Sequence, residues 1–217
     1  MQLHLVEMIK AKKSGAGHKM YKVCRRVLNG PIVAEDTYCL EVVGKELRGE
    51  GERNAQGEPE GRGTLVMSSG GIYEGQWLAG RYHGQGKYTD ATGDVYEGAF
   101  VQGEKQGHGK STYADGSVYE GGFVKNNRQG RGKVTYSSGS SYDGEWADDE
   151  QHGIGTYTFA DGEVEVGCYE EGAEVGQGVL WSADRTEAWE LQAGEEVRSI
   201  PLEEAAKIAE RIGLPPP

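Results

Sequence analysis

Three cysteines, Cys24, Cys39 and Cys168, are scattered along 217 residues. They make no close pair, so neither a zinc-type ligand set nor a disulfide framework is expected. A reducing, cytoplasmic compartment suits such usage. No apolar run approaches the ~20 residues that a membrane-spanning helix needs. The first residues, Met1 to Lys13, have no uninterrupted apolar core of the kind a secretory signal requires. Proline is scarce at 6 residues and Phe at 3, whereas Gly reaches 36 and Tyr 12. That much glycine is typical of flexible linkers, but linkers carry no aromatics at fixed spacing. Here glycines and aromatics recur together in register, which excludes a low-complexity coil.

The register is 23 residues. Tyr73, Tyr96, Tyr119 and Tyr142 each open the same phrase: Tyr-Glu-Gly-Gln-Trp, Tyr-Glu-Gly-Ala-Phe, Tyr-Glu-Gly-Gly-Phe and Tyr-Asp-Gly-Glu-Trp. With the tyrosine as offset zero, glycines follow at offsets 11 and 13, as in Gly84 and Gly86 or Gly107 and Gly109. Another follows at offset 20: Gly93, Gly116, Gly139 and Gly162. Four full copies cover 73–164. A degenerate copy at 50–72 keeps Gly57, Gly61, Gly63 and Gly70 but has Glu50 in place of the tyrosine. A second, at 165–187, keeps Gly167, Tyr169, Gly172, Gly176 and Gly178 and departs at Glu165 and Arg185.

In a strand, alternate residues share a face. Offsets 0, 2 and 4 therefore place Tyr, Gly and Trp or Phe on one side, and offsets 13, 15 and 17 of the return strand join them. A glycine leaves a slot that a neighbouring ring can fill. Asp115-Gly116 and Asp161-Gly162, with Thr92-Gly93 and Ser138-Gly139 as variants, are hairpin signals. The expected fold is all-β: an elongated, single-layer antiparallel meander of repeated hairpins.

Beyond the array, residues 188–217 read as a short hairpin about Ala193-Gly194 and a capping helix from Pro201 to Ile212. Glu203 and Glu204 suit its first turn, Lys207 and Arg211 its last, and Gly213 stops it. Leu202, Ala205, Ala206, Ala209 and Ile212 form its apolar stripe, expected to close the last hairpin and its open edge. Residues 1–49 form a basic segment in which Tyr21 to Leu28 and Thr37 to Val43 are candidate strands of a second, β-type cap.

The phrase Y-E-G-x-[W/F]-x-x-G-x-x-x-G-x-G resembles the MORN repeat (membrane occupation and recognition nexus). The resemblance spans about two-thirds of the chain, residues 50–187. It implies the same meander, and a scaffold or adaptor that organises cytoskeletal, ciliary or membrane-associated assemblies, often with self-association. MORN arrays also precede catalytic domains in some lipid kinases and lysine methyltransferases, but the thirty residues after this array are too few for either.

No group of residues carries catalytic chemistry. His83 and His152 share an offset and His108 lies nearby, but their copies are separated along the array and cannot share a metal. Glu74, Glu97, Glu120 and Asp143 form a column on the face opposite the rings. They occupy equivalent, solvent-facing positions, unlike a working carboxyl pair, whose environments differ. The Gly-x-Gly elements lack the Lys-Ser/Thr and the helix of a phosphate loop. No cofactor, metal or catalytic residue is expected.

Charge narrows the partner. Residues 1–49 carry nine Lys/Arg against five Asp/Glu, and the array carries eleven against twenty-four, within a net charge of −12. An acidic array disfavours nucleic acid. Anionic lipid is left to the basic N-terminal residues Lys10, Lys12, Lys13, Lys19, Lys22, Arg25 and Arg26, which supply the alternative reading of a peripheral phospholipid-binding adaptor.

The expected partner is another protein, presenting a helical or extended segment, or a second copy of this chain. Its expected anchors are the rings Tyr73, Trp77, Tyr96, Phe100, Tyr113, Tyr119, Phe123, Tyr136, Tyr142 and Trp146, uncovered on one side in a single-layer sheet. The loop acids Asp148, Asp149 and Glu150 would set its direction, following the basic loop of Lys125, Arg128 and Arg131.

Overall fold

The computed structural model describes Tyr38, Cys39 and residues 46–217, with side chains from residue 51; all belong to the unit Thr37–Pro217. The expected strand at 21–28 lies outside the described residues; of the expected strand at 37–43, Tyr38 and Cys39 are described, and they pair with Gly51 and Glu50.

The described residues form one antiparallel sheet in strict chain order. Its first strands are β1 (Tyr38–Cys39), β2 (Glu46–Arg53), β3 (Pro59–Met67), β4 (Ile72–Leu78) and β5 (Arg81–Thr89). Then come β6 (Val95–Val101), β7 (Glu104–Thr112), β8 (Val118–Val124), β9 (Asn127–Thr135) and β10 (Ser141–Ala147). The last are β11 (Glu150–Thr158), β12 (Val164–Glu170), β13 (Ala173–Trp181), β14 (Ala188–Gln192) and β15 (Glu195–Ile200), followed by one helix, α1 (Leu202–Ile212).

Two kinds of turn alternate. One is the Asp-Gly type read from the sequence, where Gly93, Gly116, Gly139 and Gly162 take φ of 92° to 104°. The other has two residues, both left-handed: Ala79-Gly80, Gln102-Gly103, Lys125-Asn126, Asp148-Asp149, Glu171-Gly172 and Ala193-Gly194. Such pairs build the I′ turn, whose twist matches that of the flanking strands. In the last copy Arg185 replaces the turn glycine, keeps a φ of 63°, and donates from its guanidinium to the carbonyls of Gly162 and Ala183. The β13–β14 hairpin forms despite that substitution.

Each full copy also carries a bulge. In β4–β5 the pairing shifts between Gly75 and Gln76, and the same shift recurs in β6–β7, β8–β9 and β10–β11. The bulge interrupts the ladder, so the carbonyl at offset 3 needs another donor. The offset-0 tyrosine supplies it. Its hydroxyl donates to the carbonyl of Gln76, Ala99, Gly122 or Glu145, at 2.7, 3.0, 3.0 and 3.1 Å. Burial pushes the hydroxyls of Tyr73, Tyr96 and Tyr119 up to about 12.

The rings make one continuous core. Each offset-0 tyrosine meets its own offset-4 ring and the next copy's edge-on: Tyr96 lies 5.0 Å from both Phe100 and Phe123. Tyr119 meets Phe123 and Trp146, and Tyr142 meets Trp146 and Tyr169, at 5.0–5.3 Å. T-shaped contacts suit the aromatic quadrupole. The tyrosine ring lies across the glycine pair of its own copy. A Cβ on Gly109 would come within 2.6 Å of Tyr96 Cε2.

The opposite face alternates in charge along one row of cross-strand neighbours. Glu74 faces Lys87, Lys87 faces Glu97, Glu97 faces Lys110, and the row continues through Glu120, Lys133 and Asp143. Lys87 and Glu97 are 2.5 Å apart. The carboxylate column of the sequence is thus half of a mixed ladder. At the C-terminal end the same row becomes Val166 and Val179. There α1 docks: Ala205, Ile208 and Ala209 are buried against Val164, Val166, Val179, Trp181, Ala188 and Ile200.

Two expectations about the helix need correction. Ile208 is buried and Leu202 is 43% exposed, so the inward stripe differs from the one read from sequence. The helix also lies on the faces of β12, β13 and β14 rather than along the β15 edge. The physical reason is that Val166 and Val179 interrupt the charge ladder and leave an apolar patch there.

Candidate partner-binding face

The face bearing the rings is closed by its own side chains. Tyr73, Trp77, Tyr96, Phe100, Tyr119, Phe123, Tyr142 and Trp146 are all buried, none more than 8% exposed. Expecting one uncovered side of this stack was incorrect. A single sheet layer still seals it, because side chains at offset 9 fold over the rings. Tyr82 stacks on Tyr73 at 3.8 Å. The Lys105 ammonium lies 4.8 Å above Tyr96 and 5.7 Å from Phe123. The Arg128 guanidinium lies 4.1 Å from Trp146 and 5.6 Å from Tyr119. Cations over rings shield the apolar faces and gain attraction from the ring quadrupole.

Of the predicted anchors, Tyr113 and Tyr136 remain half-buried at the rim, beside Tyr88 and Tyr157. These part-exposed rings, with Lys105 and Arg128 of the offset-9 column, are half-buried side chains on the outer side of this face. Strand alternation carries that column: offset 9 differs from offset 13 by an even number of residues, and that parity was the available signal.

The three loop acids separate in role. Asp149 bonds the Arg128 side chain at 3.1 Å and its backbone N–H at 2.9 Å, fixing the cation over Trp146. Asn126 does the equivalent one copy earlier, accepting from the Lys105 backbone N–H at 2.9 Å. Asp148 and Glu150 are exposed and hold no cation over a ring; Asp148 accepts from the Asn127 side chain at 3.5 Å, and its backbone N–H donates to the Gln129 side chain. Arg128 itself sits on β9 rather than in a basic loop.

At the C-terminal end the pattern changes sign. Glu165 stands where other copies have tyrosine, and Glu174 occupies offset 9. Glu174 fills the space over Gly167 and Gly178 that a ring fills elsewhere. Tyr169 donates to Glu165 at 2.6 Å. Burial, and then the neighbouring Glu165, push the Glu174 carboxyl from 4.5 up to about 8. The face therefore runs from cations at Lys105 and Arg128 to carboxyls at Glu165 and Glu174. Among the described residues no three histidine, cysteine or acidic side chains converge as a metal site.

The repeat model of the MORN repeat matches residues 55–72, 73–95, 96–118, 119–141, 142–164 and 166–187. The chain belongs to the MORN-repeat family. No curated protein sequence matches it. Among solved structures, this MORN chain is similar to the TCP domain of Drosophila melanogaster SAS-4 (dCPAP), solved with a proline-rich motif of Ana2 (dSTIL). That likeness has 9% identity and a TM-score of 0.38, over 79% of this chain and 98% of that chain. The TCP10 domain of Danio rerio CPAP, solved with a STIL peptide, is similar at 14% identity and a TM-score of 0.37, over 65% and 68%. Among the described residues of this MORN chain, no helix is long and apolar enough to cross a membrane.

Proposed function

We propose that this MORN protein is a non-catalytic protein-binding scaffold or adaptor, working in a cytoskeletal, ciliary or membrane-associated assembly. The observation that carries the reading is the ring-bearing face. Its framework repeats every 23 residues, while its outward offset-9 side chain changes from Tyr82 to Lys105, Arg128, Gln151 and Glu174. A constant framework with a varying outer column suits recognition of a segment laid across successive repeats. The segment lies along this face with its basic end toward residues 148–174, the stretch that carries Asp148, Glu150, Glu165 and Glu174. A second copy of this chain is one such partner.

The experiment is association kinetics at low ionic strength with Asp148→Asn/Glu150→Gln. Asp149 is left intact because it holds Arg128. The variant should associate more slowly, by about threefold to tenfold, and with a weaker salt dependence. Unchanged association would show the orientation to be wrong. Phospholipid binding through residues 1–49 is the alternative. Sedimentation with anionic liposomes, lost on neutralising Lys10, Lys12 and Lys13, would favour it.

A further inference from the structure

The offset-9 column has a fixed pitch. Two strands per repeat at ~4.8 Å give ~9.6 Å between successive members, so Lys105 and Glu174, three repeats apart, stand ~29 Å apart along the array. A ligand that meets one column member per repeat must present equivalent side chains at that interval. An α-helix presents the same face every seven residues, at ~10.5 Å, and drifts by a few ångströms over three repeats. A β-strand turns every third residue to its opposite side. A polyproline II segment has three residues per turn and rises ~3.1 Å per residue, returning to the same face every ~9.3 Å. It is the extended conformation that stays in step.

Two members of the column, Lys105 and Glu174, make no ion pair with an oppositely charged side chain among the described residues. The Lys105 ammonium rests on Tyr96 and Phe123 and has no ion pair or side-chain hydrogen bond among the described residues. The carboxylates that face it are already engaged. Asp149 is bound to Arg128, Asp90 accepts the backbone N–H groups of Thr92, Gly93 and Asp94, and Asp94 accepts that of Ala114. At the far end, Glu165 lies against Glu174 and accepts from Tyr169, and one Glu174 oxygen is buried without a hydrogen-bond partner; a bound cation would offset the charge this pair acquires as Glu174 ionises. Arg128 and Tyr82 need no such partner, because each is already held on the face.

We propose that this column reads an extended, polyproline II-like segment of a partner protein carrying an acidic and a basic residue nine positions apart. The acidic residue pairs with Lys105 and the basic residue with Glu165 and Glu174. Nine residues of polyproline II span ~28 Å, close to the ~29 Å between the two sites. Tyr113 and Tyr136 stand beside the path and supply ring surface for the residues between. This rests on the proposed docking along the ring-bearing face and adds the partner's conformation and charge spacing.

The test uses the full chain and two synthetic peptides, one with Glu and Lys separated by eight prolines and one with five. Affinity is read by fluorescence anisotropy of the labelled peptides at about pH 8.5, where Glu174 is ionised. The eight-proline peptide should bind about tenfold more tightly, and the preference should fall below about twofold in both Lys105→Gln and Glu174→Gln. Equal affinity for the two spacings overturns the proposal, as does a preference that survives Lys105→Gln. If both peptides bind equally and Tyr113→Ala/Tyr136→Ala abolishes that binding, the docking face stands and the spacing rule falls. If neither peptide binds, the spacing rule is overturned; Asp148→Asn/Glu150→Gln then tests the face separately.

Discussion

At the scale of the residue, the glycines and tyrosines of each copy are one device. A bulge frees a carbonyl at offset 3, and a tyrosine hydroxyl takes it, so the ring must lie flat over the two glycines between. No side chain fits beneath it. Gly109→Ala should destabilise the protein by about 3 kcal/mol, as an overpacked core site does. Combining it with Tyr96→Ala should cost at least about 1 kcal/mol less than the two single losses together, because the clash partner is gone. Chemical denaturation of the four proteins checks both figures; strict additivity would disprove the contact.

Glu174 gives a second test at this scale. Its carboxyl titrates near 8 in the folded chain and near 4.5 in the unfolded one. Between those values the folded state holds a proton that the unfolded chain has released. That contribution is therefore complete below about pH 4.5 and is lost as pH rises through 8. Since Glu174 is only half-buried, solvent screening reduces its size. Glu174→Gln should stabilise the protein by about 1–2 kcal/mol at pH 9, and its stability should fall less between pH 6 and 9. Parallel pH profiles for the two proteins would remove Glu174 from this role.

At the scale of the element, the I′ turns hold the strands in register with left-handed pairs that differ in cost. Gly tolerates that backbone, whereas most L residues do not. Gln102, at φ 53°, is exposed and precedes Gly103. Gln102→Asn would create Asn-Gly, the pair best suited to this turn. The melting temperature should rise by about 1–3 °C, corresponding to roughly 0.5 kcal/mol for a chain of this size. A lower melting temperature would show that Gln102 has a role beyond the turn.

At the scale of the whole molecule, the sheet has one face sealed by its own rings and another carrying a charge ladder. The last charged member of the ladder is Asp143; Thr156 follows it on β11, and α1 rests where the row turns apolar at Val166 and Val179. Removing residues 201–217 would uncover Val164, Val166, Val179 and Trp181 together, a contiguous apolar patch. Such a protein should keep its strand signal by circular dichroism yet bind an apolar dye and self-associate, as sedimentation velocity would record. Ile208→Ala should cost about 2–4 kcal/mol by leaving a cavity in the same contact. A truncated chain that stays monodisperse and binds no dye would show that α1 covers nothing essential.

The 23-residue register, the alternation of faces, the Asp-Gly turns and the terminal helix were all legible in the sequence, because each depends on spacing along one chain. Offset parity alone assigns Tyr96, Gly98 and Phe100 to one face. Spacing could not reveal how fully that face closes, since burial depends on what folds over the rings. Only the tertiary structure lays Lys105 on Tyr96 and Phe123, and Arg128 on Trp146 from the next copy, turning expected anchors into core. It also decides where α1 rests. A helical stripe specifies an apolar partner but not its place, and that place was set by Val166 and Val179 meeting across two strands where every full copy before them has a charged or polar pair.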